Sequence, residues 1–196
     1  LLPDWVLAAD QLEMSDVEVV VGNSQLVRGL VERASADLGF IEGANPARGL
    51  TNVVVGEDRL VWIAAPRLAR ELLARGARVA DLVAGPLFVR EQGSGTREVL
   101  DVELERQGLA LGRLTTSLGS TSAIKAAVRR GAGVGVVSER AVQDEFASGA
   151  LVAVPVPGVD LRRRLRAIWV PAARLDGRAA ALIGAARQGG NSVHDE

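Results

Sequence analysis

Residues 86–107 read PLFVREQGSGTREVLDVELERQ. The apolar start, residues 86–90, predicts a strand, and the amphipathic end predicts a helix that runs to about Gln107. Between them, Gln92-Gly-Ser-Gly-Thr-Arg97 has the glycines and hydroxyls of a tight turn from strand to helix. A strand followed by such a helix is the repeating unit of an α/β fold, in which ligands bind beyond the carboxyl ends of the strands.

The same order of strand, small polar loop and helix occurs at Gly22-Asn-Ser24 and at Gly119-Ser-Thr-Ser122. The start of a helix presents unpaired N–H groups, hydroxyls add donors, and glycine lets the backbone approach a ligand closely. Ordinary helix caps have the same composition, so each loop is either a cap or part of a binding site. With one carboxylate from a fourth loop added, the candidate binding residues are Asn23, Ser24, Glu42, Gly93, Ser94, Gly95, Thr96, Arg97, Ser120 and Thr121.

The loop at residues 93–97 is the strongest of these candidates. Two glycines around a hydroxyl, followed by an arginine in the first helical turn, exceed what a cap requires. The helix dipole disfavours a cation at this end, so Arg97 needs an anionic partner nearby. That partner is either a bound anion or an acid of the chain such as Glu42. We therefore expect a small anionic or polar ligand here.

Apolar runs and amphipathic stretches alternate along the rest of the chain, which is typical of an α/β fold. Further strands are predicted at residues 16–21, 37–41, 50–55, 59–64, 114–118, 133–137, 151–156 and 161–170. Further helices are predicted at residues 2–12, 24–33, 67–75, 79–83, 122–130, 139–146 and 176–187, with Ser24 as the cap of the second. The glycines of residues 131–135 follow a helix and enter a strand, which indicates a helix C-cap and a tight turn. The arginines of residues 162–166 are interpreted as a solvated or dimer-facing strand edge.

The composition excludes several classes of function. The 196 residues include no cysteine and one histidine, His194, so a thiolate metal site, a cysteine nucleophile and Ser-His-Asp catalysis are not expected. No apolar stretch is long enough to span a membrane, and no signal peptide is visible. A net charge of −1 argues against DNA binding by this chain alone. We expect no enzymatic activity, no catalytic residue, no cofactor and no metal.

A family resemblance follows from the order and spacing of short blocks along nearly the whole chain. The chain resembles the effector-binding domain of LysR-type transcriptional regulators. The matching blocks start at Leu2-Pro3, Val21-Gly-Asn-Ser24, Ala36-Asp-Leu-Gly, Gly56-Glu-Asp-Arg, Arg90-Glu-Gln-Gly, Leu118-Gly-Ser-Thr, Gly131-Ala-Gly-Val and Gly149-Ala-Leu-Val. The form of the block at residues 90–97 is similar to that of regulators tied to inorganic carbon or sulfur metabolism.

The resemblance implies an α/β fold of two Rossmann-like lobes with a central cleft, similar to periplasmic binding proteins of type 2. Lobe I would comprise residues 1–65 and 161–196, and lobe II residues 66–160. The two chain crossings, near Ala64 and near Asp160, would act as a hinge. The family's lobe I also starts with a strand that no part of this chain matches.

The resemblance further implies a sensor that binds a small, anionic or polar effector in the bacterial cytoplasm and forms a homodimer or tetramer. Val6, Leu7 and the strand residues Val17 to Val21 offer an apolar surface for the dimer. The family contacts DNA through an N-terminal winged helix-turn-helix, which we expect outside this chain; no membrane contact is expected. The alternative is a solute-binding protein of a transport system, which shares the fold.

Overall fold

A computed structural model describes residues 17–171 and 173–191 of the chain. Two compact units divide the chain: unit 1 comprises Leu1–Glu57 and Arg164–Glu196, and unit 2 comprises Asp58–Arg163. The chain therefore passes into unit 2 after Glu57 and leaves it after Arg163. The lobe boundaries expected at residues 65/66 and 160/161 stay predictions. The helix predicted at residues 2–12, with Val6 and Leu7, lies outside the described residues, as does His194.

Helices and strands alternate through both units. In chain order the elements are α1 (Ser24–Glu32), β1 (Gly39–Gly43), β2 (Thr51–Ala64), α2 (Pro66–Ala74), α3 (Val79–Ala84), β3 (Leu87–Arg90), α4 (Gly95–Arg106), β4 (Thr115–Leu118), α5 (Thr121–Arg129), β5 (Val134–Ser138), a 3-10 turn (Glu139–Val142), α6 (Gln143–Ala147), β6 (Val152–Ala153), β7 (Arg162–Trp169) and α7 (Gly177–Asn191). The predicted α/β alternation is confirmed, including the strand, loop and helix at residues 86–107.

In unit 1, helices cover both faces of a small sheet. β1 pairs antiparallel with β7, and side chains alternate between the faces along β1. Ile41 therefore packs in a cluster with Val31 of α1, while its neighbour Phe40 packs against the cluster of Ala186 on α7. Burial of these apolar side chains is what holds α1 and α7 on the sheet.

In unit 2, β3 lies between β4 and β5 and runs parallel to both. β5 pairs antiparallel with the second half of β2, and β6 pairs antiparallel with its end. One apolar cluster joins α5 to the sheet. Its buried members are Ile63, Ile124, Val128, Val137, Val142 and Leu151. Gly135 permits this approach, because a Cβ there would lie 2.7 Å from the Ile124 side chain. Parallel strands with helical crossovers place the start of α4 just past the end of β3.

The strand predicted at residues 16–21 was wrong for its described part. Residues 17–21 form neither strand nor helix, and Val21 is 77% exposed. The β-branched valines favour extended backbone, but a strand also needs a neighbour that pairs its N–H and C=O groups. The strand pairings of the described residues provide no such neighbour for this segment.

Other corrections concern the central strands. The two strands predicted at residues 50–55 and 59–64 form one strand, β2, which continues through a buried Gly56 and serves both units. The predicted strand at residues 151–156 is only two residues long, and the predicted helix at 139–146 begins as a 3-10 turn. The glycine turn before β5 is confirmed: Gly131 follows the C-cap of α5 with a φ of +75°, a conformation that glycine adopts without strain.

The interpretation of the arginine run as a solvated edge was wrong in two respects. β7 lies between β1 and β2 in the order of paired strands, so it is not an edge. Arg163 and Arg166 are buried, while Arg162 and Arg164 are exposed. A strand turns alternate side chains to opposite sides, so consecutive arginines have different environments.

Candidate functional site

The loop between β3 and α4 is a tight turn that ends at the start of a 12-residue helix. The N–H of Ser94 donates to the carbonyl of Glu91 at 3.2 Å, and Gly93 has a φ of +84°. A residue with a side chain rarely adopts that φ, so the turn depends on glycine here. The helix's own hydrogen bonding begins with Glu98, whose N–H donates to the Ser94 carbonyl at 3.0 Å. The N–H groups of the preceding residues have no acceptor within the helix.

Ser94 stands at the N-cap position of α4 but does not cap the helix. Its side chain accepts no hydrogen bond from the first turn, and the residue is only 4% exposed. Among the described residues its hydroxyl has no hydrogen-bond partner at all. Its oxygen is not one of the fully enclosed side-chain atoms that lack a partner, so it is reachable from solvent and open to a bound group.

The other two polar loops behave as ordinary caps. The Asn23 side chain accepts a hydrogen bond from the Leu26 N–H at 3.0 Å, and the Ser120 hydroxyl accepts one from the Ala123 N–H at 3.1 Å. Asn23, rather than the predicted Ser24, is therefore the N-cap of α1, and Ser24 is the first helical residue. Thr121 is likewise the first residue of α5. Capping explains these loops, and their part in ligand binding stays a prediction.

Two candidates from separate segments of unit 1 lie in contact. The Ser24 hydroxyl donates to the Glu42 carbonyl at 2.9 Å and accepts from the Glu42 N–H at 3.3 Å. The hydroxyl therefore fixes the start of α1 against the end of β1. A role of Glu42 toward a ligand stays a prediction.

The cations around the α4 loop all have carboxylate partners. The Nε of Arg97 donates to both oxygens of Asp101, at 2.8 and 2.9 Å, so an acid of its own helix supplies the anionic partner that its position requires. Arg90 makes two hydrogen bonds to the neighbouring Glu91. Positive potential at this loop therefore comes chiefly from the N-terminus of α4.

Sequence reasoning missed a buried ion pair that contacts this loop. Arg163 pairs with Asp58, and the Nη1 of Arg163 donates to the Thr96 hydroxyl at 2.9 Å. Strand periodicity could have found it, because Arg163 alternates in phase with the buried Leu161 and Leu165.

Within residues 17–171 and 173–191, no group of three or more His, Cys, Asp or Glu side chains could hold a metal ion. No helix within these ranges is long and apolar enough to cross a membrane.

Together, the parallel strands of unit 2, the helices on both faces of unit 1 and the loop at the start of α4 define a domain with the fold of periplasmic binding proteins of type 2. The regulatory domain of Synechocystis CcmR in complex with 2-PG has this fold, and it aligns with a TM-score of 0.78 and 21% identity over 98% of this chain and 92% of that one. The family model of the LysR substrate binding domain matches residues 13–191, and the chain belongs to this family, the effector-binding domains of LysR-type regulators. The predicted fold and family are therefore confirmed.

Two bacterial relatives are named as HTH-type transcriptional regulators. The uncharacterized HTH-type transcriptional regulator Rv2282c of Mycobacterium tuberculosis is 36% identical over 179 residues, which cover 87% of this chain and 57% of the relative. The uncharacterized HTH-type transcriptional regulator YeiE of Escherichia coli K12 is 40% identical over 154 residues, which cover 78% of this chain and 50% of the relative. The chain thus spans about half the length of the curated relatives that it matches.

Proposed function

We propose that this domain senses a small anionic or polar metabolite, which binds at the N-terminus of α4. The observation that carries the proposal is the hydroxyl of Ser94, which does not cap its helix, has no partner among the described residues and is reachable from solvent although the residue is only 4% exposed. An oxyanion would accept from this hydroxyl and from the first N–H groups of α4, and the helix dipole favours negative charge there.

The chemistry of the loop suggests how the ligand is held. Because Arg97 and Arg90 each bind a carboxylate, we propose that the ligand's charge is bound mainly by neutral donors rather than by a free cation. Gly93 and Gly95 leave room for close backbone approach, and the Thr96 hydroxyl is a further donor. The 2-PG complex of CcmR supports an anionic ligand as the first choice of probe.

The remaining expectations form part of the same proposal. Effector binding would control DNA binding by another domain of the full regulator, in the cytoplasm, with the domain assembled as a homodimer or tetramer. Asn23, Ser24, Glu42, Ser120 and Thr121 would contribute to effector recognition. A solute-binding protein of a transport system gains no support from the relatives described above, and a binding domain without enzymatic activity fits the site.

Calorimetric titration of the domain with sulfate, inorganic phosphate and 2-PG tests the proposal. We expect at least one of them to bind the wild type, and Ser94→Ala to weaken that binding by about tenfold to a hundredfold, which corresponds to one charge-assisted hydrogen bond of about 1.5–3 kcal/mol. Ser148→Ala is the matched control, since that hydroxyl donates to the Asp144 carbonyl on α6.

The thermal stability of the variants separates binding from folding. Ser94→Ala should unfold within about 2 °C of the wild type, because no described residue bonds to the lost hydroxyl. Equal affinity of the wild type and Ser94→Ala for every bound anion would place the site elsewhere.

A further inference from the structure

The Arg163–Asp58 pair is the most deeply buried ion pair in the described part of unit 2. Their side chains are 3% and 1% exposed. The Nε and Nη2 of Arg163 lie 2.8 and 2.7 Å from Oδ2 of Asp58, and its Nη1 donates to the Thr96 hydroxyl at 2.9 Å. Arg140 lies at the limit of an ion pair with the other Asp58 oxygen, with 4.0 Å between Nε and Oδ1. One guanidinium thus joins a carboxylate to a hydroxyl in the first turn of α4.

This contact fixes the direction of the Thr96 hydroxyl. A guanidinium can only donate, so the Thr96 oxygen must accept from Arg163. The hydroxyl proton is then directed to some other acceptor, and no described residue accepts it. Thr96 is only 6% exposed, so bulk water has little access to serve as that acceptor. Two residues away, the Ser94 hydroxyl has no partner among the described residues, and its oxygen is reachable from solvent.

A contribution to stability does not by itself explain the buried Arg163–Asp58 ion pair. Uncharged side chains of similar size are often as stabilising as a buried ion pair, because two charges lose their hydration on burial. The position of the pair adds a second argument, since Asp58 and Arg163 are the residues at which the chain enters and leaves unit 2. The network therefore connects the α4 loop to both chain crossings.

We propose that Arg163, held in place by Asp58, is a positioning residue for the anion site: its bond to Thr96 makes the Thr96 hydroxyl a donor toward the bound anion. The inference rests on the proposed function, because it requires an anion at the start of α4. Arg163 itself does not touch the anion in this arrangement, since its donors are directed to Asp58 and Thr96.

A double variant, Asp58→Leu with Arg163→Met, removes the network without leaving a buried unpaired charge. The probe is whichever of sulfate, inorganic phosphate and 2-PG binds the wild type most tightly. We expect affinity for that probe to fall about tenfold, while the melting temperature stays close to that of the wild type. Arg78→Met with Asp81→Leu is the control, because it removes an exposed pair of the same charges from unit 2.

Variants of Thr96 distinguish positioning from a general structural effect. Thr96→Ser keeps the hydroxyl and should bind within about twofold of the wild type, while Thr96→Val should lose about tenfold. Added to the double variant, Thr96→Val should cost little more, because both changes remove the same hydrogen bond to the anion. Should the double variant fail to fold, Arg163→Lys replaces it, since an ammonium keeps the charge but lacks the planar fork.

The outcomes separate the two proposals. If the double variant binds the probe as tightly as the wild type while Ser94→Ala binds it more weakly, the positioning role of Arg163 is wrong and the proposed anion site is retained. The positioning role is also wrong if the losses of binding free energy caused by Thr96→Val and by the double variant are strictly additive. If no probe binds the wild type, or Ser94→Ala binds as the wild type does, the proposed anion site is wrong and the role of Arg163 falls with it.

Discussion

Replacing Lys125 with methionine should destabilise unit 2 by an amount that depends on pH. Lys125 lies on α5, and its Nζ donates to the Ala141 carbonyl at 2.7 Å and to Glu145 at 2.8 and 3.0 Å. The chain's single lysine thus joins α5 to the 3-10 turn and to α6. Both charged side chains are mostly buried, with 22% and 14% exposed.

The expected loss follows from these contacts. A hydrogen bond to a charged group contributes about 1.5–3 kcal/mol, and a carbonyl left without a donor costs about 1–3 kcal/mol when fully buried and less when partly buried, as the Ala141 carbonyl is. Glu145 keeps some access to water and can recover part of its hydration, so we expect a net loss of about 2 kcal/mol. Methionine keeps the length of the aliphatic chain, which limits the loss of packing. For a chain of this size that corresponds to a fall of roughly 4–8 °C in melting temperature.

The pH dependence has a definite sign. The hydrogen bond from Lys125 is the main reason that the pKa of Glu145 lies below its usual value. A carboxylate with a lowered pKa in the folded state stabilises the fold above its unfolded pKa, about 4.3, and this contribution disappears as the pH falls through the lower folded value. The difference between the wild type and Lys125→Met should therefore be full at neutral pH and shrink below about pH 4.

Urea unfolding followed by tryptophan fluorescence measures this difference, because Trp62 is buried in the same unit. Arg130→Met is the matched control, since it removes an exposed cation at the end of the same helix. A loss in Lys125→Met no larger than that of the control, or a difference that does not change between pH 7 and pH 3, would refute the reasoning.

Two further predictions concern unit 1. Asn23→Ala should lower the free energy of unfolding by about 1 kcal/mol in chemical denaturation, because α1 loses the side chain that caps it; an unchanged stability would mean that the cap is replaced at no cost. The exposed valines of residues 17–21 should contribute to a homodimer, so the domain should sediment at about twice its monomer mass at tens of micromolar, and Val21→Asp should shift it toward the monomer. A wild type that sediments as a monomer contradicts the second prediction.

The sequence could predict the features that depend on neighbouring residues. Residues 86–107 specify β3, the turn at Gly93 and α4, because apolar periodicity, glycine and hydroxyls all act within a few residues of one another. The C-cap at Gly131 was predictable for the same reason. The block pattern along the chain also determined the family, which the family model confirms.

Features that depend on residues distant in the sequence could not be predicted from local sequence patterns. Residues 17–21 have the composition of a strand, but a strand exists only where another pairs with it. β7 has the arginines of an edge, yet its two neighbours, β1 and β2, make it central. Both features were predicted wrongly because strand pairing joins segments that are remote in sequence.

The candidate site divides in the same way. The sequence by itself determined that a glycine and hydroxyl loop begins α4, since that loop is a local signal. Only the tertiary structure decided that Asn23 and Ser120 cap their helices while Ser94 does not, because capping depends on the orientation of one side chain. It alone brought Arg163 to Asp58 and Thr96, which are 105 and 67 residues away along the chain. Such contacts form when folding removes water from charged groups and leaves them only one another as partners.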